Sequence, residues 1–153
     1  MSGSDAPSAG RFEGREHRLA VRVYYEDTDF TGVVYHANYA RYFERGRSDF
    51  LRLAGIGHRE WFDRPDPGAF VITRLAIDFL KAARIDDALV VRTTYDVVRG
   101  PRMWISQSLT RGEEVIATAQ VEAACIRPDG RPRRPPPELL QSLGPLLLPP
   151  ATP

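Results

Sequence analysis

Between Tyr25 and Tyr39 the chain reads Tyr-Glu-Asp-Thr-Asp-Phe-Thr-Gly-Val-Val-Tyr-His-Ala-Asn-Tyr, which concentrates carboxylates, a glycine and a histidine ahead of an amphipathic run. A helix start leaves backbone N–H groups unpaired and carries about half an elementary charge, suited to an oxygen that becomes negative during a reaction. The carbonyl oxygen of an acyl group is one. Asp29 stands seven residues before His36, with Gly32 between them to turn the chain, so it can fold back over that helix start as nucleophile or general base. The plainer readings stay open beside this one. Asp29 can be a turn or N-cap carboxylate, His36 can bond a carbonyl or carboxylate, and Tyr25 can be a core residue at a strand end. Glu26 and Asp27 read as solvated or capping groups. A metal centre is not expected, because His17, His36 and His58 lack ligand spacing and carboxylates alone favour weak binding of hard ions.

These residues need elements to hold them. Leu19, Val21, Val23 and Tyr25 alternate with Arg18, Ala20 and Arg22, the period of a half-buried strand over 18–25. From Val34 the period becomes helical, with Tyr39, Tyr42, Phe43, Gly46, Phe50 and Leu53 on one face and Arg41, Glu44, Arg45, Ser48 and Arg52 on the other. This predicts one long helix, capped near Gly55. Gly46 on its apolar face costs about 1 kcal/mol against alanine unless another backbone approaches there, which predicts a helix pressed closely on a sheet. Four further alternating runs follow, over 71–80, 89–98, 103–109 and 115–125, with turns at Arg99-Gly100-Pro101 and Arg111-Gly112-Glu113. The expected fold is α+β, one domain in which a long central helix is wrapped by a five-stranded antiparallel sheet, the last four strands in a meander. Such a sheet has an unpaired edge, which predicts a homodimer or tetramer.

The 153 residues, 42% hydrophobic and 27% charged, fit one folded domain. Residues 1–16 are small and polar and read as a disordered leader. Residues 17–127 read as the folded core. Nine of the thirteen prolines fall in 128–153, a proline-rich tail whose leucines at 139, 140, 143 and 146–148 would dock on the domain or on a partner. The net charge of +1 gives no global field for nucleic acid or an anionic membrane. Cys125, the single cysteine, allows no internal disulfide and reads as core filler. With no apolar run long enough to span a bilayer, the chain reads as soluble and cytoplasmic.

The motif Asp-Thr-Asp-Phe-Thr-Gly-Val-Val-Tyr-His-Ala-Asn-Tyr, followed by Tyr-Phe-Glu-Arg-Gly-Arg-Ser-Asp-Phe-Leu and later Ile-Asp-Phe-Leu-Lys-Ala-Ala-Arg-Ile-Asp-Asp, resembles the hotdog-fold acyl-CoA thioesterases of the 4-hydroxybenzoyl-CoA thioesterase type. Within that group it is most similar to the Tol-Pal-associated branch. The resemblance spans about 18–127 and implies an acyl-CoA thioesterase whose subunits pair sheet edge to sheet edge. It puts the family carboxylate at Asp29, the carbonyl-polarising N–H at His36 and a third functional side chain at Tyr25, which can orient Asp29. Gly32, Val33 and Val34 fall at substrate-binding positions. For the phosphates of coenzyme A the basic candidates are Lys81, Arg84, Arg99 and Arg102, with Arg131, Arg133 and Arg134 in the tail, the plainer reading being ordinary solvated charges. No cofactor is implied beyond the coenzyme A of the substrate. Acyl carrier protein or cell-envelope proteins are the partners it suggests, with peripheral association at the inner membrane. Phe30 and Ala82 depart from the family pattern, the first where it bears on the acyl pocket. Glu44 is a fallback carboxylate. The rival expectation is a non-catalytic acyl-CoA or acyl-carrier-protein sensor or scaffold using the same pocket.

Overall fold

In the computed structural model, which describes residues 5–149, the helix predicted from the apolar spacing is α1 (His36–Leu53), and it packs across one face of a single antiparallel sheet. Tyr39, Tyr42, Phe43, Phe50 and Leu51 are buried against that sheet, each worth roughly 1.5–3 kcal/mol of apolar burial. Leu53, expected on the same face, is exposed at the last turn. The strands are β1 (Arg11–Glu13), β2 (Glu16–Arg22), β3 (Ala69–Phe79), β4 (Ala88–Arg99), β5 (Arg102–Arg111) and β6 (Glu114–Ile126). A short α2 (His58–Phe62) precedes β3, and α3 (Pro137–Leu143) follows β6 and runs into a 3-10 turn at Gly144–Leu146.

The close approach inferred from Gly46 is present. A Cβ there would sit 2.6 Å from Val91 Cγ1 and 2.8 Å from Thr93 Oγ1, so the helix backbone lies on β4. Gly46→Ala gains about 1 kcal/mol of helix propensity but overpacks the interface by roughly 1–3 kcal/mol. We expect a net loss of stability, read by calorimetry as a Tm lower than that of the wild type.

Three expectations are corrected. The sheet has six strands in the order β1-β2-β4-β5-β6-β3, not five. The meander is confined to β4–β6, because β3 crosses to the far edge and pairs with β6, Leu75 opposite Val121. A bulge between Ile72 and Arg74 shifts the register of β3 against β6. With a neighbour on one side only, β3 leaves Val71, Ile72, Leu75 and Phe79 exposed.

The leader is the second correction. Residues 1–4 lie outside the described residues, but 11–13 form β1, paired with β2. Asp49 of α1 draws that hairpin in: its Oδ2 lies 2.7 Å from His17 Nε2 and accepts the Gly10 N–H at 2.8 Å, while its Oδ1 accepts from Arg52 at 3.0 Å. Phe12 packs edge-on to His17 and Phe50. Burial pushes the His17 imidazole down in pKa against the pull of the Asp49 carboxylate. The tail is the third. Proline is tolerated in the first helical turn, where its missing N–H would have no partner. Pro137 therefore opens α3, and Leu139 and Leu143 are buried. The folded core extends well past 127.

Candidate active site

The segment from Tyr24 to Tyr35 is built around one carbonyl and one turn. Strand β2 ends at Arg22, and Tyr25–Asp27 form a 3-10 turn where the strand was expected to continue. The buried Asp27 caps this turn, its carboxylate accepting the Tyr24 N–H at 2.8 Å. Its carbonyl accepts the Tyr35 N–H at 3.0 Å and the Asn38 side-chain amide at 2.8 Å, which fixes the loop to the first turn of α1.

Asp29–Val33 is then a closed hairpin tip. The Asp29 N–H donates to the Val33 carbonyl at 2.8 Å, and the Gly32 N–H donates back to the Asp29 carbonyl at 3.1 Å. Gly32 has φ of 86°, a conformation that glycine adopts without a Cβ penalty. Thr28 pairs with Val34, and Val33 pairs with Arg84.

Asp29 is thus a turn carboxylate, and the turn leaves it chemically available. Its Oδ1 accepts the Thr31 N–H at 2.8 Å and the Thr31 hydroxyl at 2.6 Å, while Oδ2 accepts nothing among the described residues. The Thr31 hydroxyl first, then the Thr31 N–H, hold the Asp29 carboxyl below the usual carboxylate range, with smaller pulls from the Val33 N–H and His36. Asp29 is therefore ionised at neutral pH, with one free oxygen.

Tyr25, Thr28, Asp29, Phe30, Gly32 and Ile85 line one cleft of about 480 Å³. Tyr25 is 84% exposed, so the reading of it as a core tyrosine is wrong. No hydrogen bond joins its hydroxyl to Asp29 among the described residues. Phe30 is fully exposed at the hairpin tip. His36 is the first residue of α1, preceded by Tyr35 as N-cap with no side-chain cap. The Asn38 N–H is already given to Tyr35, whereas those of His36 and Ala37 precede the helical ladder. The His36 ring stacks near Tyr35 and meets Phe79 edge-on.

The remaining candidates separate. Val34 is buried, and its N–H goes to the Ala83 carbonyl at 2.8 Å, so its side chain belongs to the core and does not face a ligand. Lys81 is ion-paired with Glu114. Arg84 is exposed and, through its pairing with Val33, adjoins the hairpin. Arg133, another basic candidate, is held by Asp66 and lies over the Trp61 ring. Cys125 is buried, its thiol pushed up to about 12 by desolvation. Glu44, the fallback carboxylate, belongs to a second constellation that sequence reasoning otherwise passed over: the buried Arg47 with Ser48 and His58 beside a largely apolar cavity. The signal was there, since Arg47 interrupts the apolar face between Phe43 and Phe50.

Comparison with known proteins gives a consistent result. The family model described as thioesterase-like superfamily matches residues 23–143. An acyl-CoA thioesterase YbgC of Haemophilus influenzae is 42% identical over 106 residues, 69% of this chain and 77% of the relative. An acyl-CoA thioester hydrolase YbgC of Escherichia coli is 35% identical over 112 residues, 72% of this chain and 82% of the relative. A crystal structure of a probable thioesterase from Bartonella henselae superposes with a TM-score of 0.77 at 41% identity, covering 79% of this chain and 99% of that one.

Proposed function

We propose that this chain, which belongs to the thioesterase-like superfamily and is a thioester hydrolase, cleaves acyl-CoA thioesters to the free acid and coenzyme A. The observation that carries the proposal is the ionised Oδ2 of Asp29, free of hydrogen bonds among the described residues and open to a cleft, on the hairpin whose chain runs on into the start of α1. By one route Oδ2 bonds to the acyl carbon, the C–S bond breaks, coenzyme A leaves as thiolate, and water hydrolyses the resulting anhydride. By the other, Asp29 takes a proton from water, hydroxide adds to the acyl carbon, and the same C–S bond breaks. Either route puts negative charge on the thioester oxygen, and the His36 N–H is the donor assigned to it. Loss of one such donor costs about 2.7–4 kcal/mol in other enzymes. Both balance with water as the only co-reactant.

Arg84, unpaired with any acid among the described residues and next to the hairpin, suits the phosphates of coenzyme A better than Lys81, whose charge is engaged. The test is thiol release from a panel of short, long and aromatic acyl-CoAs by wild type and Asp29→Asn. Acyl-CoA bound by both proteins without any hydrolysis would favour a sensor or scaffold instead.

The pH dependence follows from the Thr31 contacts. A carboxyl held below its ordinary pKa, about 4, stays charged further into acid, so the acid limb of kcat/KM should lie below the usual aspartate range. Thr31→Ala removes the hydroxyl donor and should move that limb upward; an unmoved limb would detach it from Asp29.

We also assign the exposed edge of β3 to a second copy of the chain. Val71, Ile72, Leu75 and Phe79 offer apolar side chains beside an unpaired row of backbone groups, which pairing would satisfy. Sedimentation should give at least twice the 17.2 kDa of one chain, and Val71→Lys with Leu75→Lys should lower it to the monomer. A monomeric wild type would overturn the assignment. None of the helices among the described residues is long and apolar enough to cross a membrane.

A further inference from the structure

We infer that the cavity beneath the middle of α1 binds a small apolar carboxylate, with Arg47 as the residue that reads its charge. The cavity, about 110 Å³, is walled by Leu51, Phe70, Tyr95, Met103, Ile105 and Ala123, and Arg47 reaches it from α1. Arg47 is only 8% exposed. Its Nη1 donates to Gln107 Oε1 at 2.9 Å, and Gln107 is itself used up, giving its amide N–H groups to the Phe43 carbonyl at 2.8 Å and to Thr93 Oγ1 at 2.9 Å. The Nε and Nη2 groups of Arg47 have no hydrogen-bond partner among the described residues, and neither is sealed from open space. No carboxylate among these residues lies within ion-pair distance of it. Glu44, one turn earlier, lines the cavity as well and accepts the Ser48 hydroxyl at 2.6 Å, while His58 Nε2, also in the lining, stands 3.0 Å from that hydroxyl.

A buried cation with one neutral partner is unfavourable, and an anion bringing two acceptor oxygens offsets it. A guanidinium presents two N–H groups in the plane that a carboxylate needs. The apolar walls fix the rest of the ligand. An apolar cavity of roughly 150 Å³ takes benzene, so this smaller one suits a chain of three to five carbons.

The site is not the cleft of Asp29. Arg47 stands eleven positions beyond His36 on α1, about 16 Å along the axis at 1.5 Å per residue. A short acyl group whose carbonyl lies at His36 cannot reach Arg47 of the same protomer. The ligand therefore arrives either as a free acid, the class that the proposed hydrolysis releases, or as the far carboxylate of an acyl group held by a second copy. That link to the reaction rests on the thioesterase reading; the binding does not.

The test is calorimetric titration of the full chain with butyrate and, as the uncharged match, 1-butanol. Butyrate should bind at least tenfold more tightly than the alcohol. Arg47→Gln, which keeps an amide donor for Gln107, should abolish that preference. Ala123→Val, which narrows the cavity and keeps Arg47, should weaken both ligands, and Asp29→Asn should leave butyrate binding unchanged, with circular dichroism checking each fold. Equal affinities for acid and alcohol, a preference that survives Arg47→Gln, or loss of binding in Asp29→Asn would overturn the site. The source of the carboxylate is read from turnover of succinyl-CoA against butyryl-CoA. A succinyl preference removed by Arg47→Gln assigns the carboxylate to the acyl group, and a ratio unmoved by Arg47→Gln while that variant loses butyrate binding assigns it to the free acid. Absence of any hydrolysis would defeat the proposed function and leave the titration standing.

Discussion

Asp29→Asn should lower kcat for acyl-CoA hydrolysis about a thousandfold, the middle of the range for loss of a positioned acid–base group, while Tm stays close to that of the wild type. The two halves of the expectation come from the two oxygens of one side chain. Oδ1 is structural: it accepts both Thr31 bonds and closes the turn. An asparagine carbonyl accepts the same two bonds, so the hairpin and the position of Gly32 persist. Oδ2 is the chemical oxygen, and the amide nitrogen that replaces it neither attacks an acyl carbon nor takes a proton from water. The drop should appear in kcat and kcat/KM together, since the lost interaction is with the transition state rather than with the bound substrate. Thiol release under saturating acyl-CoA reads it directly. Turnover within a few-fold of wild type would remove Asp29 from the mechanism and leave it as a turn residue only.

How far the sequence reveals this arrangement depends on which forces decide each part. The helix was legible because its face is written at spacings of three and four from Tyr39 to Phe50, and Gly46 in that stripe told of the sheet lying against it. The hairpin was legible as a turn, since aspartate at its start and glycine at its end are what such a turn requires. Strand order was not. The alternation of β3 is that of a half-buried strand whether it lies in the centre or at the edge, and only the register with β6 puts it at the rim. The N-terminal strand was hidden for another reason. Arg11–Glu13 carries little apolar signal of its own, and what orders it is the contact of Gly10 and His17 with Asp49, 39 and 32 positions away. Arg47 shows the same limit at the second cavity, where its sequence position marks it as unusual but only the packing reveals that Gln107 is its single side-chain partner among the described residues.

Truncation after Arg127 should bring the protein near global unfolding rather than release a dispensable tail. Leu139 and Leu143 are buried in the main core, and full burial of two leucines is worth roughly 3–6 kcal/mol. Leu146 and Leu147 pack on the same core from outside. The tail is also hydrogen-bonded to the rest of the fold: the Leu148 N–H donates to the Asp96 carbonyl of β4 at 3.0 Å, and Arg15 Nε, in the β1–β2 turn, donates to the Leu146 carbonyl at 3.1 Å. Arg15 meanwhile bonds Asp96 and the Tyr95 carbonyl, so the same residue that clips the tail also ties the β1–β2 turn to β4. Removing residues 128–153 therefore uncovers that end of the core and takes away one of the three hydrogen bonds by which Arg15 holds the β1–β2 turn. Against a total stability of about 5–15 kcal/mol for an ordinary domain, less the entropy returned by releasing the segment, most of the margin goes. Thermal melts followed by far-ultraviolet circular dichroism should show a fall of more than 10 °C or no cooperative transition, and Leu143→Ala alone should cost about 2–5 kcal/mol. A truncated chain that melts with the Tm and cooperativity of the full one would make the tail an accessory docked on a domain already complete at residue 127.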